Sequence, residues 1–111
     1  MKIEKSLLSG GTPLLILALL KDGDKYGYEM IEELAKRSDD TFLLKEGTLY
    51  PLLHSLEKEG FVTSYSKTAS SGRERKYYQL TRSGRVQLEH KEEEWNLFSQ
   101  KMNAVLHYVG A

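Results

Sequence analysis

The segment Gly47–Gly60 places apolar and polar residues with the period of a helix. Its four leucines recur at i, i+3, i+4 and i+7, namely Leu49, Leu52, Leu53 and Leu56. This spacing predicts a helix with one stripe facing a core. The opposite stripe carries hydrogen-bonding groups and one cation but no acid: Pro51, His54, Ser55 and Lys58, with Tyr50 at its flank. A surface helix usually carries mixed charge, so this face is typical of a helix laid in a DNA groove.

Two helices are predicted before this segment. Thr12 and Pro13 have the chemistry of an N-cap followed by proline at the first helical position. They open the apolar run Leu14–Leu20, which predicts a helix buried on several sides, and the turn residues Lys21–Asp24 end it. The second helix is predicted from about Tyr26 to Arg37. Its inner face carries Met30, Ile31, Leu34 and Ala35.

A linker is predicted between the second helix and the leucine helix, over Thr41–Lys45, with a short extended piece as an alternative for part of it. Thr48 or Glu46 is expected to cap the leucine helix. Pro51 is expected in the first turn, because a proline deeper in the helix would delete a backbone hydrogen bond. Gly60 is expected to end the helix.

Two short strands follow, over Phe61–Lys67 and Glu74–Leu80, and both are rich in β-branched and aromatic residues. Between them, Thr68–Arg73 contains serine and glycine and predicts a flexible hairpin loop. Three helices and then a hairpin is the order of a winged helix-turn-helix. The predicted fold class is therefore mainly α with a small β-hairpin wing, followed by a C-terminal helix.

The last helix is predicted from a cap at Thr81 to about Val109. Leu88, Trp95, Met102 and Val109 recur every seven residues, and Phe98 and Val105 fill the same seam. A two-in-seven seam is typical of helix-to-helix pairing, although Lys91 interrupts it. A second copy of the chain is the expected partner. Residues 1–80 are thus predicted to form the winged domain and residues 81–111 the dimerisation helix, as one compact unit.

Composition narrows the class of protein. The chain has 111 residues, is 40% hydrophobic and 29% charged, and contains no cysteine. A disulfide framework and thiolate metal sites are therefore excluded, and the three dispersed histidines lack metal-ligand spacing. No apolar run is long enough to span a bilayer or resembles a signal peptide, so a cytoplasmic protein is expected. No catalytic constellation or phosphate-cradling glycine loop is found, so we expect no cofactor, no metal and no enzyme activity.

Charge is uneven although the formal net charge is zero. Between Lys67 and Arg85 there are six basic residues and one acidic residue. Such a segment on a neutral chain indicates an oriented contact with nucleic acid rather than general polyanion binding. The alternative is a merely soluble surface, but the position of these bases on or beside a hairpin favours DNA. We expect Arg73, with either Arg75 or Lys76, to contact phosphate.

Double-stranded DNA is therefore the expected partner. In the leucine helix, His54 and Ser55 suit base edges, whereas Thr48, Tyr50 and Lys58 suit phosphate. Tyr26 and Tyr28, at the beginning of the second helix, are also possible phosphate contacts, although capping and packing explain both equally well. For Tyr77 and Tyr78, packing of one ring on the core is favoured over stacking on bases. The candidate DNA-binding residues are Thr48, Tyr50, Pro51, His54, Ser55, Lys58, Lys67, Gly72, Arg73, Arg75, Lys76 and Tyr28.

At this point the chain resembles the PadR family of bacterial transcriptional regulators over nearly its whole length. The resemblance rests on Leu14–Leu20, Gly27-Tyr28-Glu29, Gly47–Pro51, Leu53, Leu56–Gly60 and Arg75–Gly84. The single C-terminal helix is similar to that of the compact subgroup, whose members dimerise through it. The resemblance implies a homodimeric winged helix-turn-helix repressor of detoxification, efflux or stress genes.

The resemblance also implies a ligand site. Compact members that bind flat aromatic drugs carry a tryptophan on the last helix, and Trp95 lies at the corresponding place. Trp95 is expected to serve the dimer interface first and a small planar aromatic ligand second. The candidate interface and ligand residues are Leu88, Trp95, Phe98, Met102 and Val105. The rival interpretation is a winged-helix module that binds another protein and no operator.

Overall fold

The computed structural model describes residues 2–110, which form four helices and three strands. In chain order these are α1 (Lys5–Lys21), β1 (Lys25–Tyr26), α2 (Gly27–Arg37), α3 (Glu46–Lys58), β2 (Val62–Thr68), β3 (Glu74–Leu80) and α4 (Arg82–Leu106). Both wing strands and all four helices were predicted, and the fold class is confirmed. The linker Thr41–Lys45 contains no strand.

The three strands form one antiparallel sheet in the order β1-β3-β2. The hairpin of β2 and β3 pairs Val62 with Leu80 at its base and Thr68 with Glu74 at its tip. β1, which the sequence pattern did not predict, pairs Tyr26 with Tyr77. A strand of two residues is too short to show a hydrophobic period, so the sequence pattern gave no signal for β1.

The core lies between α1, α2, α3 and the inner face of the sheet. α1 packs against α2, β3 and the beginning of α4. The fully buried side chains are Ile16, Leu17, Leu20, Met30, Leu49, Leu53 and Val62. Met30 and Leu34 confirm the predicted inner face of α2, and Leu49, Leu53 and Leu56 confirm that of α3. Tyr78 packs in the core, as predicted for one of the two rings, whereas Tyr77 is half-buried instead of exposed.

α1 begins at Lys5, eight residues before the predicted first helical residue Pro13, so the prediction of an N-cap at Thr12 was wrong. Thr12 lies inside the helix, where its hydroxyl donates to the carbonyl oxygen of Leu8 at 2.9 Å. Pro13 removes one helical hydrogen bond, at a cost of about 3 kcal/mol. Burial of the following aliphatic side chains contributes about 1.5–3 kcal/mol each and outweighs that cost. Packing of these side chains therefore keeps α1 helical on both sides of Pro13.

α3 also departs from its predicted beginning. Its N-cap is Lys45, whose side chain makes no capping hydrogen bond, so neither Thr48 nor Glu46 is the cap. Because the helix starts at Glu46, Pro51 is its sixth residue and not part of the first turn as predicted. The three buried leucines of this helix again hold it together across the missing N–H.

α3 ends where it was predicted to end. Gly60 has φ +82°, which strains any residue with a Cβ. The N–H of Phe61 donates to the carbonyl of Leu56 at 2.9 Å, and that of Gly60 to Glu57 at 3.0 Å. These two bonds form a Schellman motif. The chain then turns directly into β2, which fixes the wing beside α3.

α4 begins as predicted, because the hydroxyl of Thr81 accepts from the N–H of Gly84 at 3.0 Å. It ends at Leu106, three residues before the predicted Val109. Its 25 residues span about 37 Å. The described part of the chain measures 66 × 32 × 21 Å, because most of α4 projects from the winged domain.

Candidate nucleic-acid interface

The outer face of α3 is exposed, as its residue pattern predicted. Thr48, Tyr50, Pro51, His54, Ser55 and Lys58 all lie on it. Leu49, Leu53 and Leu56 anchor the opposite face in the core. The helix is therefore held rigidly from behind while its polar side chains point to solvent, which is the arrangement of a groove-docking helix.

The wing tip is exposed as well. Gly72 adopts φ +84°, and the tip is closed by the N–H of Ala69 donating to the carbonyl of Arg73 at 2.8 Å. Arg73 is exposed beside it. A cation on a tight, protruding turn suits contact with a phosphate backbone.

The two neighbouring bases of β3 have different partners. The guanidinium carbon of Arg75 lies 4.4 Å from the ring centroid of Tyr26. The Nζ atom of Lys76 lies 5.5 Å from the ring centroid of Tyr78 and 4.0 Å from a carboxylate oxygen of Glu57 in α3. Strand alternation explains the difference, since successive side chains leave a strand on opposite faces.

A cavity of about 560 Å³ separates the wing from the beginnings of α2 and α3. Five predicted DNA-binding residues line it: Tyr28, Tyr50, Arg73, Arg75 and Lys76. Lys67 does not line it but lies over the ring of Tyr77, with Nζ 5.6 Å from the centroid. The structure thus brings residues from three separate segments to one basic recess.

Tyr50 is set into this recess by Gly27, the first residue of α2. A Cβ atom at Gly27 would clash with the phenol oxygen of Tyr50. Burial raises the pKa of Tyr50, and the nearby Glu46 carboxylate and Tyr78 add to the effect. A tyrosine phenol, whose ordinary pKa is near 10, is protonated at neutral pH, so Tyr50 can donate a hydrogen bond to a phosphate oxygen.

Part of this surface was not predicted from the sequence. Tyr26, Tyr65 and Tyr77 form a row across the outer face of the sheet, and the phenol of Tyr65 donates to Asp24 Oδ2 at 2.7 Å. Alternation alone places residues 65, 67, 75 and 77 on one face of the hairpin. Tyr26 could not be added to them without knowledge of β1.

A second surface lies on α4. Trp95 is 49% exposed and Phe98 is 50% exposed, with their ring centroids 5.9 Å apart. Both line a groove of about 360 Å³ against α1, together with Leu7, Gly10, Gly11, Leu14 and the charged pair Lys91 and Glu94. Met102 and Val105 continue the exposed stripe, whereas Leu88 is buried in the core of its own subunit. Leu88 is thus separated from the other predicted interface residues.

Residues 2–110 contain neither a cluster of metal ligands nor a membrane-spanning helix. Among these residues no group of three histidine, aspartate or glutamate side chains is placed to hold a metal ion. None of the described helices combines the length and hydropathy needed to cross a bilayer.

The four-helix arrangement with its hairpin defines a winged helix-turn-helix protein. Residues 16–90 match the model of the Transcriptional regulator PadR-like family. The chain belongs to this family, whose members regulate transcription and bind DNA.

Solved structures agree with the family match. A transcriptional regulator from Clostridium thermocellum is 33% identical, with a TM-score of 0.84, and the match covers 97% of this chain and 99% of that one. A PadR family transcription regulator from Clostridium difficile is 37% identical, with a TM-score of 0.77, and the match covers 86% and 98%. The Negative transcriptional regulator PadR of Bacillus subtilis is 33% identical over 73 residues, which are 66% of this chain and 40% of that protein. The chain thus matches about two fifths of that longer relative.

Proposed function

We propose that this chain is a homodimeric, sequence-specific repressor that places α3 of each subunit in a DNA major groove. The observation that carries the proposal is the exposed polar face of α3 beside the basic recess formed with the wing. His54 and Ser55 would contact base edges, and Lys58, Arg73 and Tyr50 would contact phosphates. The repressor role is supported by the name of the Bacillus subtilis relative. Such a protein would act in the cytoplasm.

The subunits would pair through α4. The stripe formed by Trp95, Phe98, Met102 and Val105 exposes large apolar groups on a helix that projects from its own domain. A second copy would bury this stripe and set the distance between the two copies of α3. The half-sites would then lie roughly 34–36 Å apart, one DNA turn, or a multiple of it.

A planar aromatic ligand would release the repressor from DNA. The groove beside Trp95 and Phe98 has aromatic walls, and Gly10 and Gly11 offer no side chain to fill it. A ligand stacked between subunits would change their relative angle and misalign the two α3 helices. A coupling of about 1–3 kcal/mol is enough for a 5- to 150-fold change in DNA affinity.

The first experiment selects duplexes of about 30 base pairs from a random library and sequences those retained. A repressor of this kind enriches a dyad-symmetric site and binds it as two chains per duplex in sedimentation. Failure to enrich any sequence would favour the alternative, a winged-helix module that binds protein.

The second experiment substitutes the proposed phosphate contacts. Lys58→Ala and Arg73→Ala should each weaken binding to the selected duplex and lower the salt slope by about 0.9 for each phosphate that is no longer neutralised. Lys101→Ala, an exposed change on α4, is the matched control and should leave both unchanged. Unchanged binding for Lys58→Ala and Arg73→Ala would contradict docking through α3 and the wing.

The third experiment addresses the α4 surface. Phe98→Ser should shift the sedimenting species from dimer to monomer. Leu97→Ser, at a similarly exposed neighbour that does not line the groove, is the control and should not. The chain has one tryptophan, so quenching by a planar cationic acridine and a planar anionic naphthalene sulfonate reports binding beside Trp95. No quenching by either compound would leave Trp95 as a packing residue.

A further inference from the structure

A row of three tyrosine rings crosses the outer face of the sheet. Tyr77 in β3 is the central ring, paired in register with Tyr26 of β1 and Tyr65 of β2. Its centroid lies 5.5 Å from that of Tyr26 in an edge-to-face arrangement and 5.7 Å from that of Tyr65 in a stacked one. The hydrogen bond from Tyr65 to Asp24 anchors the far end of the row. The three rings therefore contact one another in sequence along one face of the sheet.

Arg75 completes the row at its other end. Its guanidinium carbon lies 4.4 Å from the Tyr26 ring centroid, well within the range of a cation–π contact. A guanidinium held over a ring in a cation–π contact does not use its N–H groups as hydrogen-bond donors to that ring, so they remain able to bind two oxygens of one anion. A long arginine side chain otherwise loses much conformational freedom on binding, and the ring reduces that loss.

The position of Arg75 matters because the recess is only weakly basic. Arg73, Arg75 and Lys76 line it, but so do the carboxylates of Glu46 and Glu74. With three cations against two anions, net charge alone gives a small attraction. Attraction to a phosphate then depends on holding a cation closer to it than either carboxylate.

We propose that Tyr26 is a positioning residue, whose ring holds Arg75 so that its guanidinium contacts one DNA backbone phosphate in this recess. The proposal deepens the proposed function and rests on it. Tyr26 itself need not touch DNA. Its hydroxyl is not required, whereas its ring is.

The test measures binding to the selected duplex and to a mixed-sequence duplex at low salt, by fluorescence anisotropy. Tyr26→Leu removes the ring, Tyr26→Phe keeps it, and Arg75→Gln removes the cation. The two Tyr26 changes are also made in an Arg75→Gln background and, as the matched control, in an Arg73→Gln background. Within residues 2–110 Arg73 makes no cation–ring contact, so it supplies a cation of the same recess that the Tyr26 ring does not hold. Thermal melting of every variant reports folding.

Arg75→Gln is expected to weaken binding about tenfold and to lower the salt slope by about 0.9 per subunit. Tyr26→Leu is expected to weaken it about 3- to 10-fold, and Tyr26→Phe to bind as the parent does. In the Arg75→Gln background Tyr26→Leu should have no further effect, whereas in the Arg73→Gln background its effect should be undiminished.

The outcomes separate two failures. If the parent chain binds neither duplex, the proposed function itself is overturned. If the parent binds and Arg75→Gln weakens binding, either of two results overturns the positioning role. One is that Tyr26→Leu alone has no effect on binding. The other is that Tyr26→Leu weakens binding as much in the Arg75→Gln background as it does alone. Equal losses for Tyr26→Phe and Tyr26→Leu would also overturn it, because the hydroxyl and not the ring would then be responsible.

Discussion

The phenol of Tyr50 lies over Gly27, in the space where a Cβ atom of that residue would lie. The contact joins the beginning of α2 to the second turn of α3. It also sets the position of Tyr50 at the mouth of the basic recess. Gly27 in α2, which has no side chain, thereby determines the direction of Tyr50, a proposed DNA contact in α3.

Gly27→Ala should displace Tyr50 without unfolding the domain. The clashing atoms are the far end of a side chain that is 43% exposed, so the ring can swing toward solvent. Because alanine also favours a helix, the free energy of unfolding should change by less than about 1 kcal/mol. DNA affinity should fall about 3- to 10-fold, because the displaced phenol can no longer donate to phosphate. Urea unfolding and fluorescence anisotropy measure the two quantities.

The Gly27→Ala prediction has an internal control. In a Tyr50→Ala background there is no ring to displace, so Gly27→Ala should change the affinity by less than about twofold. A full additional loss in that background would show that alanine disturbs α2 itself rather than Tyr50.

Thr81 joins three segments through one hydroxyl. It donates to the carbonyl of Gly60 at 2.6 Å and accepts from the N–H of Gly84 at 3.0 Å. Thr81→Ala should therefore lower the free energy of unfolding by about 1–2 kcal/mol, measured in urea. Thr81→Ser keeps the hydroxyl and should retain most of the stability. A loss as large for serine as for alanine would assign the effect to the methyl group instead.

Tyr65 should titrate at higher pH than a free tyrosine. The hydrogen bond to Asp24 raises the pKa of this phenol, with smaller contributions from burial and from the charges of Asp24 and Tyr77. A raised folded-state pKa means that the bond stabilises the fold fully below the unfolded pKa, near 10, and that this stabilisation is lost as pH rises through the folded value.

The tyrosinate absorbance of Tyr65 can be isolated by subtracting the titration of Tyr65→Phe from that of the parent. Asp24→Ala should move the difference curve to lower pH. Asp24→Asn, which keeps an acceptor but removes the charge, should have a smaller effect. A curve that does not move with either change would contradict the assignment of Asp24 as the main cause.

How far the sequence predicts this structure depends on the range of the interactions involved. The leucine stripe of α3 is a local periodicity, and the β-branched and aromatic content of β2 and β3 is a local composition signal. Both elements were predicted from these local features. The start of α1 was not, because Gly10–Pro13 resembles a helix boundary while packing of the following aliphatic side chains carries the helix through it. The contact between Arg75 and Tyr26 depends on the register of β1 with β3, which no pattern within two residues can specify. Leu88 follows the seven-residue repeat yet is taken up by the core, because the first turns of α4 pack on α1.

Gly10 and Gly11 lie in the middle of α1, where each costs about 0.5–1 kcal/mol relative to alanine. A Cβ atom at either position would meet no atom within 4 Å apart from the adjacent residues and the nearby backbone of α1 itself, so packing against the rest of residues 2–110 does not require glycine there. Both residues line the groove beside Trp95 and Phe98. If a second copy of the chain or a ligand packs closely against Gly10 and Gly11, Gly10→Ala and Gly11→Ala should weaken the dimer or the quenching of Trp95 by the acridine. At the same time, helix content should stay equal or rise. Sedimentation measures the dimer, fluorescence the quenching of Trp95, and circular dichroism the helix content. If both variants gain helix content while the dimer and the quenching stay unchanged, close packing at the groove is contradicted.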